Sequence, residues 1–222
     1  MGYTVVVPFK SNDAYLQLAL RSIYEQTLPP DQVFAVGDFD DGGLNDRLVD
    51  LSSEFPNLIV LRSPKSGMIA ATNFGIMEAR KDFIAFLDSD DLWDRRKQEL
   101  QIKQLLLNPE LDVVTSDSRN FTDGKLDSAE YGWTRASLFT CATFRATAFE
   151  KFGLIDESTT HFTWLYRWWT RANDFGINRL HLEAPGTLRR IHSSNSWRVK
   201  NELAHQELMK ELRNILNRPG QE

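Results

Sequence analysis

Short apolar runs alternate with helical stretches along the first 118 residues, and this alternation limits the fold more than any other feature. The runs are rich in β-branched and other apolar residues, as buried strands are. Strands are predicted at residues 3–7, 33–36, 58–61, 83–87 and 113–116. Helices are predicted at about 15–24, 44–54, 68–80 and 94–107. Because strands that alternate with helices form βαβ units, the expected fold class is α/β, with a mainly parallel sheet flanked by helices.

The alternation loosens in the second half of the chain. A loop is predicted at 120–131, helices near 145–152 and 163–174, strand-like pieces near 178–191, and a charged helix at 197–217. The length of 222 residues suits a single domain with a sizeable core. The apolar stripe of the last helix offers a surface to a partner, so a homodimer is among the expected assemblies.

Composition narrows the function classes. The formal net charge of −5 argues against a nucleic-acid partner, because such domains usually carry a basic surplus. Cys141 is the one cysteine, so no intrachain disulfide can form. The N-terminus lacks the regions of a signal peptide, and no apolar stretch reaches the roughly 18 residues that span a bilayer. We therefore expect no transmembrane segment and a cytoplasmic protein.

Three carboxylates, Asp88, Asp90 and Asp91, follow the predicted strand at 83–87. Ligands of parallel sheets bind beyond the carboxyl ends of the strands, where the polar loops at 8–12 and 37–43 also fall. Carboxylates this close repel one another unless a cation lies among them, and their oxygens suit Mg²⁺ or Mn²⁺. The alternative is a solvated turn whose aspartates cap the following helix.

Four segments occur in an order and spacing typical of one enzyme family. They are Val5-Val6-Val7-Pro8, the helix exit with Ser22 and Gln26-Thr27-Leu28, Ser66-Gly67 through Asn73-Phe74-Gly75-Ile76, and Phe86–Trp93. The last resembles the motif F-L-D-x-D-D-x-W almost letter for letter. The first 120 residues thus resemble the family 2 glycosyltransferases, which have the Rossmann-like GT-A fold and transfer a sugar from a nucleotide-diphospho-sugar to a hydroxyl acceptor.

The resemblance implies a metal site and a role for each of its ligands. Asp88 would meet the nucleoside or the metal, and Asp90 would ligate the metal that bridges the donor diphosphate. The segment from Arg190 to Ser193 resembles the family's y-R-x-H tail, which makes His192 the third expected ligand. The implied cofactor is Mn²⁺ or Mg²⁺, and an imidazole favours Mn²⁺. A histidine at an ordinary polar turn is the alternative.

The resemblance also implies a nucleotide-sugar pocket. Pro8 and Phe9 would line the base, Asp38 would contact the base or ribose, and Asn73 would support the nucleotide side. Within a single domain spanning 1–222, residues 1–118 would be the nucleotide-sugar-binding half. Residues 119–222 would form the acceptor-side half, which includes the family-like segment 141–157, and the final helix.

The chain departs from the family at the catalytic base. The family places a Glu-Asp pair where this chain has Trp164 and Leu165, and neither can accept a proton. His161 is the nearest titratable candidate, with an ordinary pKa near 6.5 that suits a base. The alternative is a degenerate, catalytically weak binding or scaffold protein that keeps the nucleotide site.

Two further features of the sequence leave alternatives open. The arginine expected on the helix near 72 is a threonine here, and Lys10, Arg189 or Arg190 could supply the missing positive charge. Trp164 and Trp168 share a helix face within an aromatic cluster. This cluster is interpreted either as core or dimer-interface packing or as a platform on which an acceptor sugar stacks.

Overall fold

The structure is a computed structural model that describes residues 1–10, 14–38, 51–126, 131–160, 163–192, 206–210 and 213. The strands are β1 (Tyr3–Lys10), β2 (Gln32–Asp38), β3 (Leu58–Arg62), β4 (Phe83–Phe86), β5 (Leu92–Trp93), β6 (Val113–Phe121), β7 (Ala142–Arg145) and β8 (Arg179–Arg190). The helices are α1 (Leu16–Tyr24), α2 (Met68–Glu78), α3 (Lys97–Leu107), α4 (Thr147–Phe152) and α5 (Trp164–Asp174), and a 3₁₀ turn covers Phe139–Cys141.

The described strands form one eight-stranded sheet in the order β3-β2-β1-β4-β7-β6-β8-β5. The pairs β1–β2, β1–β4, β2–β3 and β6–β8 are parallel, whereas β4–β7, β6–β7 and β5–β8 are antiparallel. The prediction of an α/β fold with a mainly parallel sheet is confirmed. The antiparallel insertion of β7 places the second half of the chain beside β4, which ends at the acidic cluster.

Both faces of the sheet are buried by helices. Alternate residues of β1 point to opposite faces, so Val5 and Val7 pack with α1 while Val6 packs on the other side. That other side holds α2, α4 and the tryptophans of α5. Gly75 allows α2 to lie directly on β1, since a Cβ at this position would stand 2.4 Å from a methyl group of Val6. The sequence segment around Gly75 therefore sets how closely this helix approaches the sheet.

The second half differs from the prediction at β6. The strand continues through Phe121, where a loop was predicted from position 120, because the polar residues after 116 pair with β8 across an irregular register. That pairing is long-range and leaves no local hydrophobic pattern. The strand-like pieces near 178–191 are one strand, β8.

Two predicted helices are described only in part. Residues 51–54, 206–210 and 213 are helical, and the remainder of the helices predicted at 44–54 and 197–217 lies outside the described residues. Among the helices that the structure describes, none has the length and hydropathy to cross a bilayer.

Candidate functional site

The acidic cluster occupies the turn between β4 and β5. One carboxylate oxygen from each of Asp88, Asp90 and Asp91 lies within 4.8 Å of the others. The turn is closed by the backbone N–H of Asp91, which donates to the carbonyl of Asp88 at 3.1 Å. Asp88 is exposed, Asp90 is half-buried and Asp91 is 4% exposed. The cluster therefore presents two accessible carboxylates above a buried one.

Burial and the neighbouring carboxylates raise the pKa values of Asp88 and Asp91. The pKa of Asp88 is raised to about 7, first because surrounding protein desolvates its carboxyl and second because Asp90 repels it, while Arg189 opposes the rise. Part of Asp88 still faces solvent, which moderates the desolvation and leaves the carboxyl open to an incoming cation. Burial and repulsion by Asp88 and Asp90 also raise the pKa of Asp91. Ionising all three carboxyls is thus costly unless a positive charge lies among them.

The end of β8 crosses the acidic turn. The backbone N–H of Arg190 donates to Oδ1 of Asp91 at 2.9 Å, and Nε of Arg190 donates to the carbonyl of Asp90 at 2.8 Å. Nε2 of His192 then lies 2.9 Å from Oδ2 of Asp90. Of the three residues that the sequence suggested as metal ligands, the structure therefore places His192 against Asp90 and Asp90 beside Asp88, and the third carboxylate of the close group is Asp91.

Arg190 is itself held by residues that the sequence did not single out. Its guanidinium pairs with the carboxylate of Asp123, and it lies over the rings of Tyr15 and Phe121 at 4.3 and 4.6 Å. The hydroxyl of Tyr15 donates to Oδ2 of Asp123 at 3.0 Å. Arg190 is 5% exposed. Arg190 therefore supports the chain just before His192. Its contacts with Asp123, Tyr15 and Phe121 could not be inferred from the sequence of the tail segment.

A cavity of about 70 Å³ opens beside the cluster. Its polar wall includes Asp88 and Arg189, and its apolar wall includes Trp164 and Leu165. Pro8 also lines it, as the resemblance implied for a residue at the end of β1. Of the three cations considered from sequence as replacements for the missing arginine, Arg189 is thus the one at the cavity wall.

A larger cavity of about 290 Å³ lies at the start of α2, lined by residues 66–70 with Glu157 and Thr159. It does not include the acidic cluster, but Met68 lines both cavities. An ion pair between Lys65 and Glu157, 2.6 Å long, stands at its rim. The acidic cluster is therefore next to the smaller of the two cavities.

Other predicted site residues are placed differently. Phe9 is 5% exposed and packs in the core with α1, so it lies behind the cavity surface. Asn73 is 2% exposed, and its amide both donates to the carbonyl of Ile155 and accepts from its N–H, at 2.8 and 3.0 Å. Its side chain is thus occupied in joining α2 to the loop after α4. Asp38 ends β2 and its side chain is not described, and His161 lies outside the described residues.

The glutamine of the helix-exit motif buttresses the acidic turn. Nε2 of Gln26 donates to the carbonyl of Asp94 at 2.7 Å, and its Oε1 accepts from the N–H of Gln98 at 3.1 Å. Oγ of Ser22 accepts from the N–H of Trp93 at 3.1 Å. Two motifs that are about 70 positions apart in sequence are therefore in contact, and α1 fixes where the acidic turn leads into α3.

Comparison with known proteins adds a family match. The family described as "Glycosyl transferase family 2" matches residues 4–167. The succinoglycan biosynthesis protein ExoW of Rhizobium meliloti is 38% identical over 94 residues, which are 40% of this chain and 30% of that protein. The chondroitin synthase of Pasteurella multocida is 26% identical over 135 residues, or 60% of this chain and 14% of that protein. The chain thus spans under a third of the length of these relatives.

Solved structures show the same fold at low identity. The structure of S. aureus TarS 1-349 in complex with UDP superposes with a TM-score of 0.71 at 15% identity, covering 100% of this chain and 67% of that one. The mannosyltransferase PcManGT of Pyrobaculum calidifontis, in complex with GDP-Man and Mn²⁺, gives 0.70 at 17% identity and covers 95% of this chain and 64% of that one. The match over nearly the whole chain includes the second half, where the sequence motifs are weakest.

Proposed function

The chain belongs to glycosyltransferase family 2, and we propose that it moves a sugar from a nucleotide-diphospho-sugar to a hydroxyl acceptor in a metal-dependent reaction. The observation that carries the proposal is that Asp88 lines a cavity together with Arg189, while Asp90 lies beside Asp88 and contacts His192. The complexes of two proteins of this fold, one with UDP and one with GDP-Man and Mn²⁺, support this choice of ligands.

The residues present fit a divalent cation. Two accessible carboxylates and an imidazole nitrogen form an oxygen-rich donor set, and the raised pKa values of Asp88 and Asp91 support a positive charge at this point. We propose Asp88, Asp90 and His192 as the ligands and Mn²⁺ or Mg²⁺ as the ion. Bound there, the ion would act as a Lewis acid that offsets charge developing on the leaving diphosphate.

The other residues of the cavity are proposed to hold the donor. Arg189 lies at the polar wall, where its guanidinium suits the diphosphate oxygens and replaces the cation lost at Thr72. Pro8 and Asp38, at the ends of β1 and β2, are proposed to border the nucleoside. We assign residues 1–118 to donor binding and 119–222 to the acceptor side, although Arg189 and His192 of the second half reach the donor. Asn73 acts indirectly, through Ile155.

Proton transfer from the acceptor requires a general base. Trp164 and Leu165, at the place expected for the base, line the same cavity as Asp88. Among the described residues that line the cavity, Asp88 alone has a carboxylate, and its assigned role is metal binding. His161, three positions before the start of α5 in the sequence, remains our proposed base.

These cavity walls also favour a second candidate function, a degenerate transferase that binds the nucleotide sugar without transferring it. The two readings separate in one experiment. The protein is incubated with a panel of UDP- and GDP-sugars and Mn²⁺, and release of UDP or GDP is followed with and without mixed sugar acceptors. Turnover that is lost in both Asp90→Asn and His161→Ala supports the transferase. Donor binding without turnover supports the degenerate protein, and absence of both contradicts each.

A further inference from the structure

The three tryptophans of α5 differ in how their indole N–H groups are used. Trp168 is 1% exposed and donates to the carbonyl of Gly153 at 2.9 Å. Trp169 is 7% exposed and donates to the carbonyl of Ser137 at 2.6 Å. Trp164 is half-buried, and none of the described residues accepts a hydrogen bond from its N–H. Two of the three are therefore fixed in the core, while Trp164 keeps a polar group available for another molecule.

Trp164 lines the same cavity as the charged residues Asp88 and Arg189. It is held from one side by Phe139, whose ring meets it edge to face with centroids 5.1 Å apart and planes at 88°. A half-buried aromatic ring that is supported on one side loses little conformational entropy when a ligand covers its other surface. The ring is therefore a rigid element of the cavity mouth.

The size of the cavity limits how an acceptor can be bound. Its volume of about 70 Å³ is far below the roughly 300 Å³ at which pockets begin to enclose small-molecule ligands. An acceptor would therefore lie across the opening, with one side against the protein. Around this opening the protein offers the indole ring of Trp164 and the charged groups of Asp88 and Arg189.

We propose that Trp164 is the acceptor platform of this site and that the acceptor is itself a sugar. This inference rests on the proposed function and names the substrate class of the same site. A pyranose ring has an apolar C–H face that packs on an aromatic ring and a rim of hydroxyl groups that hydrogen-bond. Stacked on Trp164, the ring directs a hydroxyl toward the donor side at Asp88 and Arg189, and a substituent that extends past the edge of the indole accepts a hydrogen bond from its in-plane N–H.

The presence of a tryptophan at position 164 fits this role. At this position the chain has an aromatic ring in place of a carboxylate, so the first turn of α5 serves recognition of the acceptor and not acceptance of its proton. Trp164 is a specificity-determining residue in this account, distinct from Trp168 and Trp169, which support the core.

The test uses methyl glycosides of glucose, galactose, mannose and N-acetylglucosamine as probes. Their binding to the full chain is measured by ligand-observed NMR, with and without UDP, GDP and Mn²⁺. We expect at least one glycoside to bind the native protein and Trp164→Ala to weaken it roughly tenfold or more, whereas Trp164→Phe stays within about threefold. Tyr166→Ala, an exposed aromatic on the same helix, serves as the control and leaves binding unchanged.

The outcomes separate this inference from the proposed function. Nucleotide affinity is measured on the same samples, and we expect it to stay within about twofold in every variant, since Trp164 does not hold the donor. Glycoside binding that is absent, or equal in the native protein and a folded Trp164→Ala variant, overturns the platform whether or not nucleotide binds. Failure of nucleotide binding alone overturns the donor site and leaves the glycoside result to stand. If Trp164→Ala unfolds, the comparison of Trp164→Phe with a Trp164→Leu variant replaces it, with loss expected only for leucine.

Discussion

Nε2 of His192 lies 2.9 Å from Oδ2 of Asp90, although 102 positions separate the two residues in the sequence. The contact joins the end of β8 to the turn after β4, so the two halves of the chain share one site. The acidic motif of the first half and the short tail of the second half are therefore in contact. Folding of β8 against β6 is what places His192 there.

Removal of the His192 imidazole should weaken metal binding without abolishing it. We expect His192→Ala to lower Mn²⁺ affinity about tenfold, because two carboxylates remain as ligands, and Asp90→Asn to lower it further, because a charged ligand is lost. Isothermal titration with Mn²⁺ in the presence of UDP or GDP measures both. Glu110→Gln, an exposed acid remote from the cluster, is the control for net charge. Equal affinity in His192→Ala and the native protein would remove His192 from the ligand set.

Loss of the Asn73 side chain should cost stability more than donor binding. Asn73→Ala leaves both the N–H and the carbonyl of Ile155 without their partner, which we expect to lower the free energy of unfolding by about 2 kcal/mol. Urea unfolding measures this cost, and nucleotide titration of the folded variant should show an affinity within about twofold of native. A large loss of nucleotide affinity at unchanged stability would instead support direct contact with the donor, as the family resemblance implied.

Lys97 should make stability depend on pH in the neutral to basic range. The side chain is 0% exposed, Nζ donates to Oε1 of Gln101 at 3.1 Å, and burial lowers its pKa from 10.5 to about 7. Between these values the unfolded chain binds more protons than the folded one, so the free energy of unfolding should rise as pH rises from 7 toward 10. Urea unfolding at pH 7, 8 and 9 measures the slope.

The variant Lys97→Met isolates this contribution. It should flatten the slope between pH 7 and 9 and raise the free energy of unfolding at pH 7 by roughly 1–4 kcal/mol, because the buried charge is gone. Oε1 of Gln101 lies 2.6 Å from the hydroxyl of Thr143, which can replace Lys97 as its donor. Lys103→Met, exposed on the same helix, is the matched control. The same slope in native and Lys97→Met protein would contradict a neutral Lys97.

Arg189 should contribute to binding of the diphosphate. We expect Arg189→Ala to weaken the binding of UDP or GDP at least about tenfold, because a charge-assisted contact is lost. Arg189→Lys should keep part of the affinity. The measurement is nucleotide titration in Mn²⁺, with the corresponding nucleoside as a comparison. An equal loss for nucleoside and diphosphate would mean that Arg189 shapes the cavity without touching the phosphates.

The first half of the fold could be predicted because its signals are local. The apolar runs of β1, β2 and β4 are buried on both faces and stand out from the polar segments around them. The acidic turn was predictable for the same reason, since Asp88, Asp90 and Asp91 follow directly after β4. The motif order then identified the family.

The second half depends on contacts that no local pattern encodes. The end of β6 is polar and becomes a strand through pairing with β8, and Asp123 acquires its role only when Arg190 is folded over it. Phe9 and Asn73 were assigned to the nucleotide by motif position, whereas burial directs the one to the core and the other to Ile155. The sequence gives the chemistry of a side chain, but tertiary packing sets which neighbours that side chain contacts.

The central claim is that the acidic turn and His192 form a metal-dependent nucleotide site. Calorimetric titration of the native protein with UDP and with GDP, in Mn²⁺ and then in EDTA, tests it most directly. We predict that at least one nucleotide binds in Mn²⁺, that EDTA weakens it at least about tenfold, and that Asp90→Asn removes the difference between the two conditions. Nucleotide binding that is the same in Mn²⁺ and EDTA, or no binding of either nucleotide, would contradict the claim.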